Sequence, residues 1–505
     1  MTRKGLPVVL GHCSRLSVGA LLALLAGCPT PPDGTATEQR PQPLEVAGKV
    51  ALYQPEAKRL YALEDKNGSA ELRSLAAKLD GLPMREATDR SRLVWLDARN
   101  RQALATNGST LQKLPLGAAF TGLRLTADGQ FAVTLHQEGE AAVDGLVNTD
   151  DIALVDLVKA TVKAATVADL AASPFDAVVS GPLQAADGEH RLVVLLAQSK
   201  LGLADFGPAG VRTQVVPLTA DPKSPVRPQQ VEVRAVAGGA SLFVTAQGLA
   251  DVLHLQLDLN QTTLQVALDQ IAAGQQPLAM QVADVAEGTR ILTVGSSRQQ
   301  LSWLDPQTGT GMQLALQAGV GQLQLAAGPS GLPLAVGSLA GSNSVVVMDL
   351  PNLTKKKGKA LTVLALDAPV REVQVLAGKL VVQHTGATPA LTVIDLASFK
   401  RSTFATKAVP LAMRLAGDFV WLLIPDGQDT LLARVALADL RGEVLTLGEP
   451  ATALLRLGAA GMAVAGQGGS GGWWVAAFPS GNLTGKDRWV VDGYAWQGLL
   501  DAEVK

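Results

Sequence analysis

The side chain best placed for chemistry is the thiol of Cys28, which closes the run Leu25-Ala26-Gly27-Cys28 behind a short apolar stretch. A thiolate is the nucleophile that can take up a diacylglycerol group, and small residues before it let a peptidase approach the backbone. The other cysteine, Cys13, lies in the same leader. The histidines His12, His136, His190, His254 and His384 form no HExxH or HxxxH pair, so a metal site would need several of them to converge from separate parts of the fold. Glu138, Glu140, Asp144, Asn148, Asp150 and Asp151 crowd one loop with oxygen ligands that suit Ca²⁺. Asp144, Asp150 and Asp151 are its candidate ligands, but the order lacks the alternate spacing of calcium loops, and a solvated insertion is the favoured reading.

Other patterns fail on context. Gly468-Gly469-Ser470-Gly471-Gly472 fits G-x-S-x-G, yet Trp473-Trp474-Val475 follows as a strand where a nucleophile elbow needs a helix. Gly481 to Asp487 is one residue short of a P-loop and lacks Ser or Thr after the Lys. Lys355-Lys356-Lys357-Gly358-Lys359 reads as a solubilising hairpin tip that blocks edge pairing. Trp473, Trp474, Trp489 and Trp496 gather with Tyr494 near the C-terminus. Core filling is their ordinary role and a partner-binding patch the sharper one.

The leader combines Arg3, Lys4 and Arg15 with an uncharged run from Leu16 to Gly27, far short of the ~20 apolar residues of a spanning helix. It resembles the bacterial lipoprotein signal, with Leu25, Ala26, Gly27 and Cys28 as its lipobox. The resemblance implies cleavage before Cys28, a diacylglycerol on the sulfur and an N-acyl lipid on the new amino terminus. An ordinary secretory signal that happens to hold a Cys is the plain alternative. Several acyl chains anchor stably where one anchors marginally, because each buried methylene contributes about 0.8 kcal/mol. Pro29, rather than Asp, after the Cys points to the outer membrane within that family. Residues 1–27 are thus expected to be a signal, 28–44 a Pro/Thr-rich tether and 45–505 a folded body. The fifteen residues from Pro29 to Pro43 reach on the order of 45 Å at ~3.1 Å each.

Composition bounds the partners of that body. Lys and Arg number 43 against 45 Asp and Glu, a balance that offers no strong field for nucleic acid. No cofactor is expected beyond the lipid on Cys28. After cleavage and acylation the body holds no free thiol and needs no disulfide, since a core of this size can stabilise itself. Its only membrane contact would be the anchor. The uncharged stretches from Pro306 to Met348 and from Leu457 to Gly485 are broken by glutamines, Gln313, Gln317, Gln322 and Gln324, or by glycines, and read as paired strands rather than spanning helices.

A phrase recurs through that body: two strands joined by a turn, then a short apolar strand ending in Asp. It appears at Leu93 to Asp97, Ala153 to Asp156, Leu203 to Asp205, Leu255 to Asp258, Ser302 to Asp305, Val346 to Asp349 and Thr392 to Asp395, with weaker copies at Arg434 to Ala436 and Val475 to Ala477. Repeats in the forties and fifties with several short strands each predict an all-β propeller of four-stranded antiparallel blades that hide their faces against one another. Asp128-Gly129, Val155-Asp156-Leu157 and Leu304-Asp305-Pro306-Gln307-Thr308-Gly309 are similar to phrases of the YVTN or WD-repeat-like propellers of bacteria. Nine phrases are visible, but residues 65 to 90 and 138 to 151 read as insertions. The expected count is eight, with seven or nine open. The strands Lys49 to Tyr53 and Trp489 to Val491 are expected to share a blade and close the ring. Each recurring Asp is expected to cap a turn by accepting backbone N–H groups.

The leading expectation is a lipid-anchored, non-enzymatic envelope propeller that serves as a scaffold for other envelope proteins, facing the periplasm or the cell surface. A binding module for a small ligand or glycan is the second reading. A lactonase-like hydrolase, which would need carboxylates or histidines converging on a metal, is the third.

Overall fold

The computed structural model describes residues 43–54, 58–76, 85–140, 147–170, 172–219, 221, 223, 225–353, 355, 360–467, 473–479, 481–483 and 489–491. They fall within one compact unit spanning Arg40–Lys505. Among the described residues the body is all β, as the phrase predicts, but it forms ten antiparallel sheets built on four strands, one of them with a fifth, rather than eight. Blade 1 runs from Leu44–Val46 to Ser69–Ala76, blade 2 from Arg85–Glu86 to Leu111–Pro115, and blade 3 from Gly122–Leu125 to Thr161–Thr166. Blade 4 spans Asp176–Val179 to Gly210–Pro217, blade 5 Arg227–Val236 to Gln265–Ala272, and blade 6 Pro277–Val285 to Thr310–Ala315. Blade 7 spans Val320–Ala327 to Leu361–Ala365, blade 8 Val370–Leu376 to Arg401–Phe404, blade 9 Ala412–Ala416 to Gly442–Thr446, and blade 10 Ala453–Leu457 to Trp489–Val491. Blade 4 carries one extra short strand, Leu183–Ala185, paired to its second strand.

The nine phrases each lie in one of blades 2 to 10, so eight was one too few for them, and the tenth blade is lost at the start. The presumed insertion from Asp65 to Arg90 holds the last strand of blade 1 and the two-residue first strand of blade 2, so two blades were read as one. The closing strand is also corrected. Lys49–Gln54 belongs to blade 1 and Trp489–Val491 to blade 10, so no blade is shared between the chain's ends. Closure comes from face packing instead: Val50, Leu52, Tyr61 and Leu63 of blade 1 meet Leu455, Leu457, Ala463 and Val475 of blade 10.

Each of the ten interfaces between neighbouring blades has its own apolar cluster, and ten interfaces among ten blades make a closed ring. That stacking explains the residue pattern. A third strand such as Leu391–Asp395 is covered on both faces and reads as an unbroken apolar run. A fourth strand such as Thr161–Thr166 lies at the rim and is largely exposed. The first strands approach one another around the axis, that of blade 10 meeting that of blade 1.

First strands are sheet edges, with backbone groups left unpaired toward the axis. Side chains of the neighbouring blade take them up. The Gln230 amide donates to the Met280 carbonyl at 2.7 Å and accepts the Met280 N–H at 2.9 Å, standing in for a missing strand. Gln322 and Gln324 treat Val373 in the same way, at 3.2 and 3.3 Å. Arg414 donates to the Leu454 carbonyl at 3.4 Å, and Arg456 returns a bond of 2.7 Å to that of Leu415.

Candidate functional site: a charged cleft between blades 4 and 5

The recurring aspartates show what the repeat alone produces. Asp97, Asp156, Asp258, Asp305 and Asp395 each accept a backbone N–H two or three residues on, at 2.8 to 3.2 Å. Asp65 does the same for Gly68 in the blade that was overlooked. Asp349 holds the Asn352 side-chain amide at 2.8 Å. The expected turn-capping role is what these residues perform, except Asp349, which accepts no backbone N–H.

Asp205 departs from the pattern. Residue 208, three on, is a proline without an N–H, and the strand continues past Asp205 until Gly207 pairs with Gly210. The carboxylate is therefore turned inward, fully buried, and must find partners there. Arg212 stands opposite it on the fourth strand and donates Nε at 2.9 Å, with a second contact from Nη2. His190, at the start of the second strand, places Nδ1 at 2.9 and 3.0 Å from the two Asp205 oxygens. Its Nε2 lies 2.7 Å from Asp187 on the preceding turn. Gly207 is required beside this ring, because a Cβ there would run into the imidazole.

The network crosses to the next blade. Arg212 donates to the Leu259 carbonyl at 3.1 Å and to that of Gln261. Asn260 of blade 5 accepts the Ala186 N–H at 2.8 Å and donates to the Gly238 carbonyl at 3.1 Å. Between these segments opens a cleft of about 320 Å³, with Asp187, Gly207, Gly210, Arg212, Gln261 and Thr262 in its walls. Asp187 is exposed, and its hydrogen bond to His190, more than any other influence, holds its carboxyl below the usual carboxylate range. An exposed carboxylate thus stands at the mouth, with one oxygen held by the buried His190 ring.

A second set of charges lies at the ring's seam. Glu45 of blade 1 is buried and accepts the Arg90 guanidinium of blade 2 and the Arg456 N–H of blade 10, the latter at 3.1 Å. Burial, and then the neighbouring Arg90, lowers the pKa of Arg414. Burial raises that of Glu86.

The residues singled out by sequence fare unevenly. Cys28, Leu25, Ala26, Gly27, Asp144 and Trp496 lie outside the described residues, as do Tyr494 and the glycine turn 468–472. Asp151 is held by Asn148 at 2.8 Å and Thr166 at 2.6 Å, while burial raises the carboxyl pKa of Asp150. Among the described residues no group of three or more His, Cys, Asp or Glu is placed to hold a metal. His384 bonds the Ala368 carbonyl at 3.0 Å and Thr392 at 2.7 Å, and His254 stacks on Phe243. His136, buried against Phe120, has no hydrogen-bond partner. Trp474 is buried between blades 9 and 10, and Trp473 packs half-buried toward blade 1. Trp489 begins the last strand. No helix among the described residues is long and apolar enough to cross a membrane.

No protein-family profile matches the chain, and no curated protein does. Solved structures resemble it at low identity. Dihydro-heme d1 dehydrogenase NirN in complex with DHE is 15% identical over 73% of this chain and 76% of its own, with a TM-score of 0.42. A eukaryotic initiation factor is 11% identical over 78% and 97%, with a TM-score of 0.45. Apo AztD from Citrobacter koseri is 10% identical over 70% and 95%, with a TM-score of 0.33. At these values no ligand or chemistry passes from those proteins to this one.

Proposed function

We propose that the protein is a lipid-anchored cell-envelope propeller of YVTN-like repeats, held by acyl chains on Cys28, that acts as a non-enzymatic platform for other envelope molecules. The observation that carries this reading is the crowding of open clefts on one face. Within each blade the turns joining strands one to two and three to four lie at the same end. The blade 4/5 cleft opens there, as does one of about 510 Å³ beside Gly238 and Asp258 and one of about 700 Å³ between the turns of blades 7 and 8. Val158, Val236, Leu332 and Phe399 stand exposed at these turns, and Val211 beside them. Apolar side chains among open clefts are what a partner surface needs, whereas the Arg, Glu and Gln side chains of the first strands are engaged in joining blades.

The test uses cross-linking in intact envelopes followed by capture of the full chain. The reading predicts specific partners whose recovery falls when Leu332 and Phe399 are both changed to Asp. It also predicts a Cys28→Ser chain that takes up no labelled fatty acid and leaves the membrane fraction. Equal recovery of partners by the double variant would refute the platform face, and a Cys28→Ser chain still in the membrane would refute the anchor.

A further inference from the structure

We infer that the cleft between blades 4 and 5 binds an uncharged polyhydroxylated ligand, a saccharide unit, with the Asp187 carboxylate as its principal hydrogen-bond acceptor. This deepens the reading of the turn face as the binding face and rests on it. The ligand class follows from which polar groups in the cleft remain free. Both ring nitrogens of His190 face carboxylates, so no imidazole lone pair is open to a metal. The Arg212 guanidinium lies on Asp205 and on two carbonyls of blade 5, which leaves one Nη1 hydrogen uncommitted and no free cation for a phosphate or carboxylate. Asn260 has its amide oxygen and nitrogen bonded to backbone.

What remains is the second oxygen of Asp187 as the one charged acceptor, with the Gln261 side-chain oxygen, spare amide hydrogens of Asn260 and Gln261, the single Arg212 N–H and the exposed Thr262 hydroxyl as neutral or shared groups. One strong acceptor beside weak donors matches hydroxyl groups that both donate and accept. Gly210 has open space where a side chain would stand, so a ring can lie close to backbone there. A volume of about 320 Å³ is at the small end of ligand clefts.

The full chain, purified in a sugar-free zwitterionic detergent, is titrated with glucose, galactose, N-acetylglucosamine and their β-1,4 disaccharides, read by saturation-transfer NMR. Inorganic phosphate and spermidine serve as charged probes. At least one neutral saccharide should bind with millimolar affinity or better. Asp187→Ala should weaken it about tenfold or more, because a hydrogen bond to a charged group is lost, while Glu443→Ala on the outer strand of blade 9 leaves it unchanged. Thr262→Val supplies a second variant with a smaller loss, and a cooperative melting transition well above the titration temperature shows that the variants fold. Failure of every saccharide to bind, preference for phosphate or spermidine, or binding indifferent to Asp187→Ala overturns the inference. A protein partner captured on the turn face without saccharide binding would overturn this assignment alone and leave the platform standing.

Discussion

Two carboxylates hidden in this ring, Glu45 at the seam between blades 1 and 10 and Asp205 between blades 4 and 5, have similar burial and opposite surroundings. Each is shared between two partners from different segments of the chain. At the seam the bonds of Glu45 end in blades 2 and 10, among the further charges of Glu86 and Arg414. At the cleft the network runs outward through His190 to a carboxylate in solvent. The first arrangement joins the ends of the chain where no strand is shared. The second positions an exposed charge on a rigid base, which is a requirement of recognition rather than of folding.

The contrast breaks most severely at Glu45. Glu45→Ala leaves Arg90 without its buried partner and should cost about 3–5 kcal/mol, read from urea unfolding. A loss below about 1 kcal/mol would show that the seam does not depend on this charge. Leu63→Ala removes apolar contact from the same closure and should cost about 2–5 kcal/mol, with no change in saccharide titration of what remains folded. If that titration weakened in parallel, seam and cleft would be one cooperative element. Gln230→Ala strips both Met280 backbone groups of their partner and should cost about 1–2 kcal/mol. A silent Gln230→Ala would mean that solvent serves the inner edge as well as the amide does.

A smaller effect comes from pH. Burial holds His136, His254 and His384 below the usual imidazole value of 6.5. A folded-state value below the unfolded one means that the unfolded chain binds protons first. Stability is therefore full above pH 6.5 and declines as pH falls through it. His136→Phe, beside Phe120, should flatten part of that decline, and an unchanged profile would remove His136 from the account. A change of similar size is expected at Asp187→Ala, about 1 kcal/mol, since it strips the buried His190 Nε2 of its partner although its own side chain is exposed. A large destabilisation there would turn the cleft into a second seam.

Much of the fold was legible in the sequence because third strands, covered on both faces, must be apolar throughout and then turn. The blade count was not, because the first strand of blade 2 is only Arg85–Glu86 and carries no pattern. The turn-capping role of the aspartates followed from their place after a strand. The exception at Asp205 did leave a trace, since Pro208 removes the N–H that a cap three residues on would use. Its partners were not readable: His190 and Arg212 reach it only through the register of three paired strands. Gln322 and Gln324 were visible as interruptions in an uncharged stretch, Gln230 was not, and the work of all three across blades depends on a ring that only tertiary structure supplies.

The whole account depends on closure without a shared strand. An averaged single-particle projection of the full chain down its axis should show ten blades in an unbroken ring. Eight or nine blades, or a gap where blade 1 should meet blade 10, would contradict it.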